Sequence, residues 1–281
     1  MTGEEIAAAA QLACLLEVSA PKPGNVTPQH HFHDTRYEDF LASAVAIAPE
    51  LGTAATRPLG ATIRAAIEAT SRWTDSNTNL GIVLLLAPLA RAAGRTGGTL
   101  RDRLSAVLDE TTVEDAADTY AAIRRARPGG LGAASAEDVA TAPTVALREA
   151  MGLAADRDTV AREYVTRFAV TFEVGAPALA EARRRGLGWM DATVECFLAL
   201  LAAAPDTHIA RKIGRAEAER VSGQAREVVA AGGTATAEGR AALAALDAEL
   251  RDARNTRNPG TTADLTCAAL FVVIIEGGWT R

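Results

Sequence analysis

Apolar positions recur at helical spacing along nearly the whole chain. Ile6, Ala9, Ala13 and Leu16 share one face and predict a helix over Glu4–Val18. Pro21, Pro23 and Gly24 then break it, so residues 19–28 read as a loop. Further helices are predicted over Tyr37–Leu51, Pro58–Trp73, Leu80–Ala93 and Val113–Arg127, with Gly94 as the stop of the third. Residues 127–143, opening Pro128-Gly129-Gly130, form the longest break and read as a connector in preference to a lid. Helices follow over Val145–Ala154, Thr159–Phe172, Ala176–Arg185 and Met190–Ala203. Thr207–Ala231 and Ala237–Arg254 are long and charged and read as a packed pair, and Ala263–Glu276 is the last helix. No repeat or domain boundary interrupts the pattern. The expectation is one all-α domain spanning 1–281, a multi-helix bundle. The runs after Asn79 and after Thr262 are the most apolar and should lie at its centre, each preceded by a polar loop. A site in such a bundle forms where interhelical loops and helix N-termini converge over buried helices.

Composition supports the fold class. Apolar residues make up 48% of the chain but aromatics only 4%, and Ala and Leu favour helix over strand. A net charge of −6 argues against a nucleic-acid surface. The apolar stretches Ile82–Ala90 and Leu265–Ile275 fall short of the roughly 20 residues that a membrane span needs. The first residues are acidic and unlike a signal peptide. The expectation is a soluble cytoplasmic protein without a membrane partner, with homo-oligomerisation left open. Cys14, Cys196 and Cys267 lie far apart in apolar segments, lack metal-site spacing and read as buried free thiols.

The chemistry gathers in the loops. The chain has only two lysines, Lys22 and Lys212, and five asparagines, Asn25, Asn77, Asn79, Asn255 and Asn258, all in short loops. Glu17 precedes a Pro-Lys-Pro frame in which Gly24 has a backbone able to approach a ligand closely. His30, His31, His33 and Asp34 suggest a metal, a phosphate contact or simply a solvated loop. Asn77-Thr78-Asn79-Leu80-Gly81 is an uncharged helix start, open to a capping role for Ser76 or Asn77 or to ligand binding. Arg211 and Lys212 offer positive charge. Asn258-Pro259-Gly260-Thr261-Thr262-Ala263-Asp264 places an acid in the first turn of an apolar helix, suited either to the helix dipole or to a site. Amides, ammoniums and carboxylates together suit a polyphosphate with Mg2+.

These loops resemble the triphosphoribosyl-dephospho-CoA synthase family. The resemblance rests on Glu17–Val26, on His33-Asp34 followed by Asp39-Phe40, on Asn77-Thr78 with Gly81, on Asp206–Gly214 and on Asn258–Leu265. It implies an all-α transferase that moves the 5-triphosphoribosyl group of ATP to the ribose hydroxyl of 3′-dephospho-CoA and releases adenine. On that footing Glu17 stabilises an oxocarbenium-like centre, and Asp34 and Asp264 serve as magnesium or general-base carboxylates. Lys22, Arg211 and Lys212 with Mg2+ would hold the triphosphate. Gly24, Asn25, His33, Asn77, Thr78, Asn79, Gly81, Asn258 and Gly260 complete the expected binding set. The chain departs from the family at Asn79-Leu80, where a His-Lys pair is usual, and a Gly-Ala-Arg-Gly-Glu-Ala stretch has no counterpart in 130–138. These departures point to the acceptor. The alternatives are a related nucleotide or phosphoribosyl transferase for another cofactor, such as a pterin one-carbon carrier, or a non-catalytic nucleotide-binding protein.

Overall fold

Two apolar helices form the centre of the molecule. In the computed structural model, which describes residues 1–279 apart from 131, 133 and 135, α4 (Leu80–Ala93) packs against the final helix α14 (Gly260–Val273). Leu85, Leu86 and Leu89 of α4 and Leu270, Phe271 and Val272 of α14 are fully buried. The other helices are α1 (Gly3–Ser19), α2 (Tyr37–Gly52), α3 (Leu59–Thr70), α5 (Leu100–Asp109), α6 (Val113–Ala126), α7 (Leu147–Ala154), α8 (Thr159–Thr166), α9 (Ala176–Arg184), α10 (Trp189–Ala203), α11 (Thr207–Ile213), α12 (Arg215–Ala230) and α13 (Ala237–Leu250). No β-strand occurs among the described residues, so the all-α expectation holds.

Two apolar clusters make up the core. The larger joins α1–α9 to α14, and the smaller lies between α10, α11, α12 and α13. Helix α10 serves both, through Cys196 and Leu200 on one side and Phe197, Leu198 and Leu201 on the other.

The structure departs from the sequence pattern at several places. The helix expected over Thr207–Ala231 breaks at Gly214, whose φ of 99° belongs to glycine backbone. Helix α8 stops at Thr166, because Arg167 and Phe168 both take positive φ. A π-helical turn, Thr171–Gly175, then leads into α9. The Glu163 carboxylate accepts from the Val170 and Thr171 amides and the Thr171 hydroxyl, which holds this turn in place. Helix α5 was not anticipated. Its signal is a reciprocal cap between Thr99 and Asp102 followed by buried Leu100, Leu104 and Leu108.

Helix α14 begins earlier than expected, and its first turn holds no acid. Asp264 therefore sits beyond the N-terminal turn, and the helix-dipole reading of this residue fails. With its π-helical end the run Gly260–Gly278 has 19 residues and a mean hydropathy of 1.4, long and apolar enough to cross a membrane. The expectation of too short a segment is corrected on that point. In this fold 61% of that span is buried against the surrounding helices. The three thiols are free and buried, but Cys14 and Cys267 are not far apart: their sulfurs lie 3.7 Å from each other between α1 and α14.

Candidate active site

Four helices begin at one place. Asp206 accepts from the His208 and Ile209 amides at the start of α11, and its second oxygen takes the Thr262 amide and hydroxyl, each at 2.7 Å, at the start of α14. The Thr207 hydroxyl bonds Thr261 at 3.1 Å and receives the Thr159 amide, which brings in α8. Helix α4 opens alongside, with the Leu80 amide donating to Asn77 Oδ1 at 3.1 Å. Asn79 occupies the N-cap position without a side-chain cap bond, so the Asn77 side chain satisfies the first amide in its place, whereas Ser76 turns its hydroxyl to the Asp34 carbonyl.

Two adjoining cavities lie over these helix starts. The smaller, about 110 Å³, is lined by Glu17, Asn25, Asn77, Thr78, Asn79, Gly81, Asn258, Gly260 and Asp264, all expected from the sequence, together with Phe32, Phe40 and His208. The larger, about 420 Å³, lies between α4, α6, α7 and α8. Its apolar walls include Leu84, Ile123, Leu147, Met151 and Val160, and Arg157 and Arg211 add charge. Asn77, Leu80, Gly81, His208 and Asp264 line both, so the two spaces share one wall.

Asp264 is the centre of that wall. A Cβ on Gly81 would collide with its carboxylate, so glycine is required for α4 and α14 to meet with an acid between them. Among the described residues Asp264 has no hydrogen bond or ion pair. Burial, then the charges of Glu17, Asp206 and Asp158, holds its carboxyl well above the usual carboxylate range. His208 carries the opposite consequence of burial. Desolvation, helped by Lys212 and Arg211, pushes its imidazole down to about 3, and its Nε2 is buried without a partner. Gly260 lies against this ring, with room for no larger residue unless the ring moves.

The two lysines separate. Lys22 is wholly buried, and its ammonium is 2.9 Å from Glu17 Oε1 and also donates to the Glu17 carbonyl. Its protons are used inside the chain, and it lines neither cavity. Its observed part is to fix Glu17 at the rim of the smaller cavity. Gly24 is likewise directed inward. Its amide donates to Asp247 Oδ1 at 2.8 Å, its φ is +74°, and a Cβ would press on Leu250 and Pro259. The close approach expected of its backbone is to α13, not to a ligand. Lys212, His33 and Asp34 form an outer cluster through the Asn255 backbone and side chain: Lys212 Nζ donates to its carbonyl at 3.3 Å, and His33 Nδ1 lies 3.2 Å from its amide nitrogen. His33 and Asp34 are mostly exposed, and none of the three lines either cavity. Asp34 and Asp264 therefore do not share one pocket.

Other expected residues do double duty. The Thr78 hydroxyl bonds Ser43 at 2.6 Å, and Asn79 donates to Thr70 at 2.9 Å. Asn25 donates to Asn258 Oδ1 at 2.6 Å. Arg211 pairs with Asp158 at 2.6 Å at the edge of the larger cavity. Sequence reasoning missed His208, Arg157 and the role of residues 128–139. The segment read as a connector supplies part of the larger cavity's wall, through Pro128, Gly129, Gly130, Glu137 and Asp138. His208 could have been found as the one histidine outside the cluster at 30–33, inside a segment already singled out. Leu131, Ala133 and Ser135 lie outside the described residues.

Residues 3–281 match the CitG family, described as ATP:dephospho-CoA triphosphoribosyl transferase. The chain belongs to this family. A 2-(5″-triphosphoribosyl)-3′-dephosphocoenzyme-A synthase of Klebsiella pneumoniae is 37% identical over 114 residues, 41% of this chain and 38% of the relative. A protein of Stutzerimonas stutzeri, named as a probable synthase of the same kind, is 36% identical over 105 residues, 37% of this chain and 36% of the relative. The match thus spans little more than a third of the curated relatives' own length. A crystal structure assigned to a triphosphoribosyl-dephospho-CoA synthase from Archaeoglobus fulgidus superposes with a TM-score of 0.66 at 29% identity, covering 84% of this chain and 99% of that one. Within this CitG family member, Leu80, where the motif resemblance leads to the expectation of a lysine, stands in the wall that the two cavities share.

Proposed function

We propose that this protein is a transferase that moves the 5-triphosphoribosyl group of ATP to the ribose hydroxyl of 3′-dephospho-CoA, with release of adenine. The observation that carries the reading is the shared wall. A transferase must bring donor and acceptor to one point, and two adjoining cavities meeting at Asp264 offer that geometry. In the reaction the ribose C1′–N9 bond breaks with its electron pair leaving on adenine. The acceptor oxygen bonds C1′, and the proton it gives up ends on the departing adenine. Positive charge develops on the ribose ring between these events. Glu17, held at 2.9 Å by the buried Lys22 ammonium, is a fixed carboxylate at the smaller cavity and stabilises that charge. Arg157 and Arg211 are the cations along the larger cavity, and they suit the triphosphate better than Lys22 does.

Magnesium fits one carboxylate of this site. The ion is commonly held by one or two carboxylates together with substrate phosphates. The unpartnered Asp264 oxygens supply that donor, in a place where neighbouring acids already favour a cation. Among the described residues no group of three or more His, Cys, Asp or Glu is arranged around a metal. Bound there with the phosphates, Mg2+ would neutralise their charge.

Leu80 supports a second reading, in which the donor is the same and the acceptor differs. Its apolar side chain lines both cavities and brings no charge of its own to the wall they share. Incubation with ATP, Mg2+ and 3′-dephospho-CoA, with free adenine as the readout, tests the proposal. Stoichiometric adenine and triphosphoribosylated product are expected. Adenine formed only with a different hydroxyl acceptor selects the second reading. No adenine with any acceptor, alongside ATP binding, leaves a non-catalytic nucleotide-binding protein.

A further inference from the structure

The smaller cavity contains an unusual pair of atoms. Asn25 Oδ1 and His208 Nε2 are both buried without a hydrogen-bond partner, and both side chains line this one space. Buried polar atoms in folded proteins are nearly always paired, and an unpaired one is destabilising until something meets it. Neither residue is idle elsewhere. Asn25 spends its amide nitrogen on Asn258 at 2.6 Å and its backbone carbonyl on Arg251, which fixes the side-chain oxygen as the free group. The His208 backbone amide is held by Asp206 at 2.8 Å, which anchors the residue at the start of α11.

The rest of the lining narrows what could complete the pair. Phe32 and Phe40 offer apolar ring surface, and no Lys or Arg lines this cavity among the described residues. A phosphate group is therefore a poor occupant, whereas a flat uncharged ring with polar edges is a good one. Its volume of about 110 Å³ suits one ring system rather than a whole nucleotide.

We propose that the smaller cavity seats the departing base of the donor, and that it is built for a purine with an exocyclic amino group. The assignment rests on the transferase reading above. The amino group donates to Asn25 Oδ1, and a neighbouring ring nitrogen pairs with His208 Nε2. Small side-chain adjustments of the kind common on ligand binding bring the atoms into reach. A purine with a carbonyl in that position would set oxygen against oxygen and leave Asn25 unpaired. This makes Asn25 the residue that selects ATP over a donor with an oxo-purine base. The sugar then lies at the shared wall, and the phosphates extend toward Arg157 and Arg211.

Binding of free adenine and free hypoxanthine to the whole protein, measured by calorimetry, tests the assignment without turnover. Adenine should bind at least about tenfold more tightly, as expected when a buried acceptor is left unmet by the oxo-purine. Asn25→Ala should erase the preference while leaving the affinity for inorganic triphosphate unchanged. The triphosphate measurement shows that the variant is folded, and the wild-type comparison stands even if it is not. Equal binding of the two bases, or an undiminished preference in Asn25→Ala, overturns the assignment. Adenine release from ATP reads the transferase proposal separately. Release with equal base binding removes only the base pocket, and a retained adenine preference without release removes only the transferase.

Discussion

The two cavities contrast in almost every respect except the wall they share. The smaller is made from loop residues of distinctive chemistry, with two carboxylates, four asparagine side chains and no cation among its described lining residues. The larger is made from ordinary apolar helix faces, a glycine-rich segment and two arginines. The difference separates two tasks. In the proposed reaction the smaller space manages charge at the reacting centre through fixed acids, and the larger accommodates the bulk of a substrate and its phosphates. Asp264, Gly81 and His208 belong to both, so changes there should impair both tasks, whereas changes on one side should leave the other intact.

The largest effect should come from the wall itself. Asp264→Asn is expected to lower adenine release about a thousandfold, in line with loss of a positioned carboxylate. Because the native acid lies among Glu17, Asp206 and Asp158, the same change should leave the melting temperature unchanged or raised. A thermal melt beside the rate assay checks both halves. Lys22→Met confines damage to the smaller side. It leaves Glu17 buried without its counter-ion and should cost roughly 3–5 kcal/mol in urea unfolding. A near-neutral result would return Lys22 to the role of a ligand-facing cation.

Gly81→Ala forces the Asp264 carboxylate aside and should reduce kcat about a hundredfold, the scale of an ångström misplacement. His208 makes a pH signature. Its folded pKa of about 3 lies below the unfolded value near 6.5, so the unfolded chain takes the proton first as pH falls. Its contribution is fully present above pH 6.5 and is lost as pH falls toward 3. Between pH 7 and pH 5 the loss is about 2 kcal/mol. The urea midpoints of His208→Gln should lack that part of the slope. The smallest effect belongs to the larger cavity alone. Arg157 has no hydrogen bond or ion pair through its side chain among the described residues, and Arg157→Ala should raise KM for ATP about tenfold with kcat unchanged.

The same contrast explains what could be read from the sequence. Asn25, Asn77, Asn258 and Asp264 stood out because rare polar residues beside Gly and Pro mark loops, and the fold gathers those loops at helix starts. The central placement of α4 and α14 followed from their unbroken apolar runs. The larger cavity left no such mark, since Leu84, Ile123 and Met151 look like any core positions until the space beside them is seen. Lys22 and Gly24 show the other limit. Their types announced an unusual requirement, but sequence does not reveal which neighbour a side chain faces. Lys22 turned to Glu17, and Gly24 turned to α13. Asp34 and Asp264 were joined by chemistry alone, and the fold put one on an exposed rim and the other on the cavity wall. Thr207–Ala231 read as a single helix because Gly214 is one residue in a charged periodic stretch, and only its backbone angle breaks it.

The most direct test of two cavities meeting at one reacting centre is a crystal structure with adenine and 3′-dephospho-CoA bound together. The account predicts adenine in the smaller cavity against Asn25 and His208, and the acceptor in the larger one with its ribose hydroxyl at Asp264. Both ligands in one cavity, or the acceptor at the outer cluster of His33, Asp34 and Lys212, would contradict it.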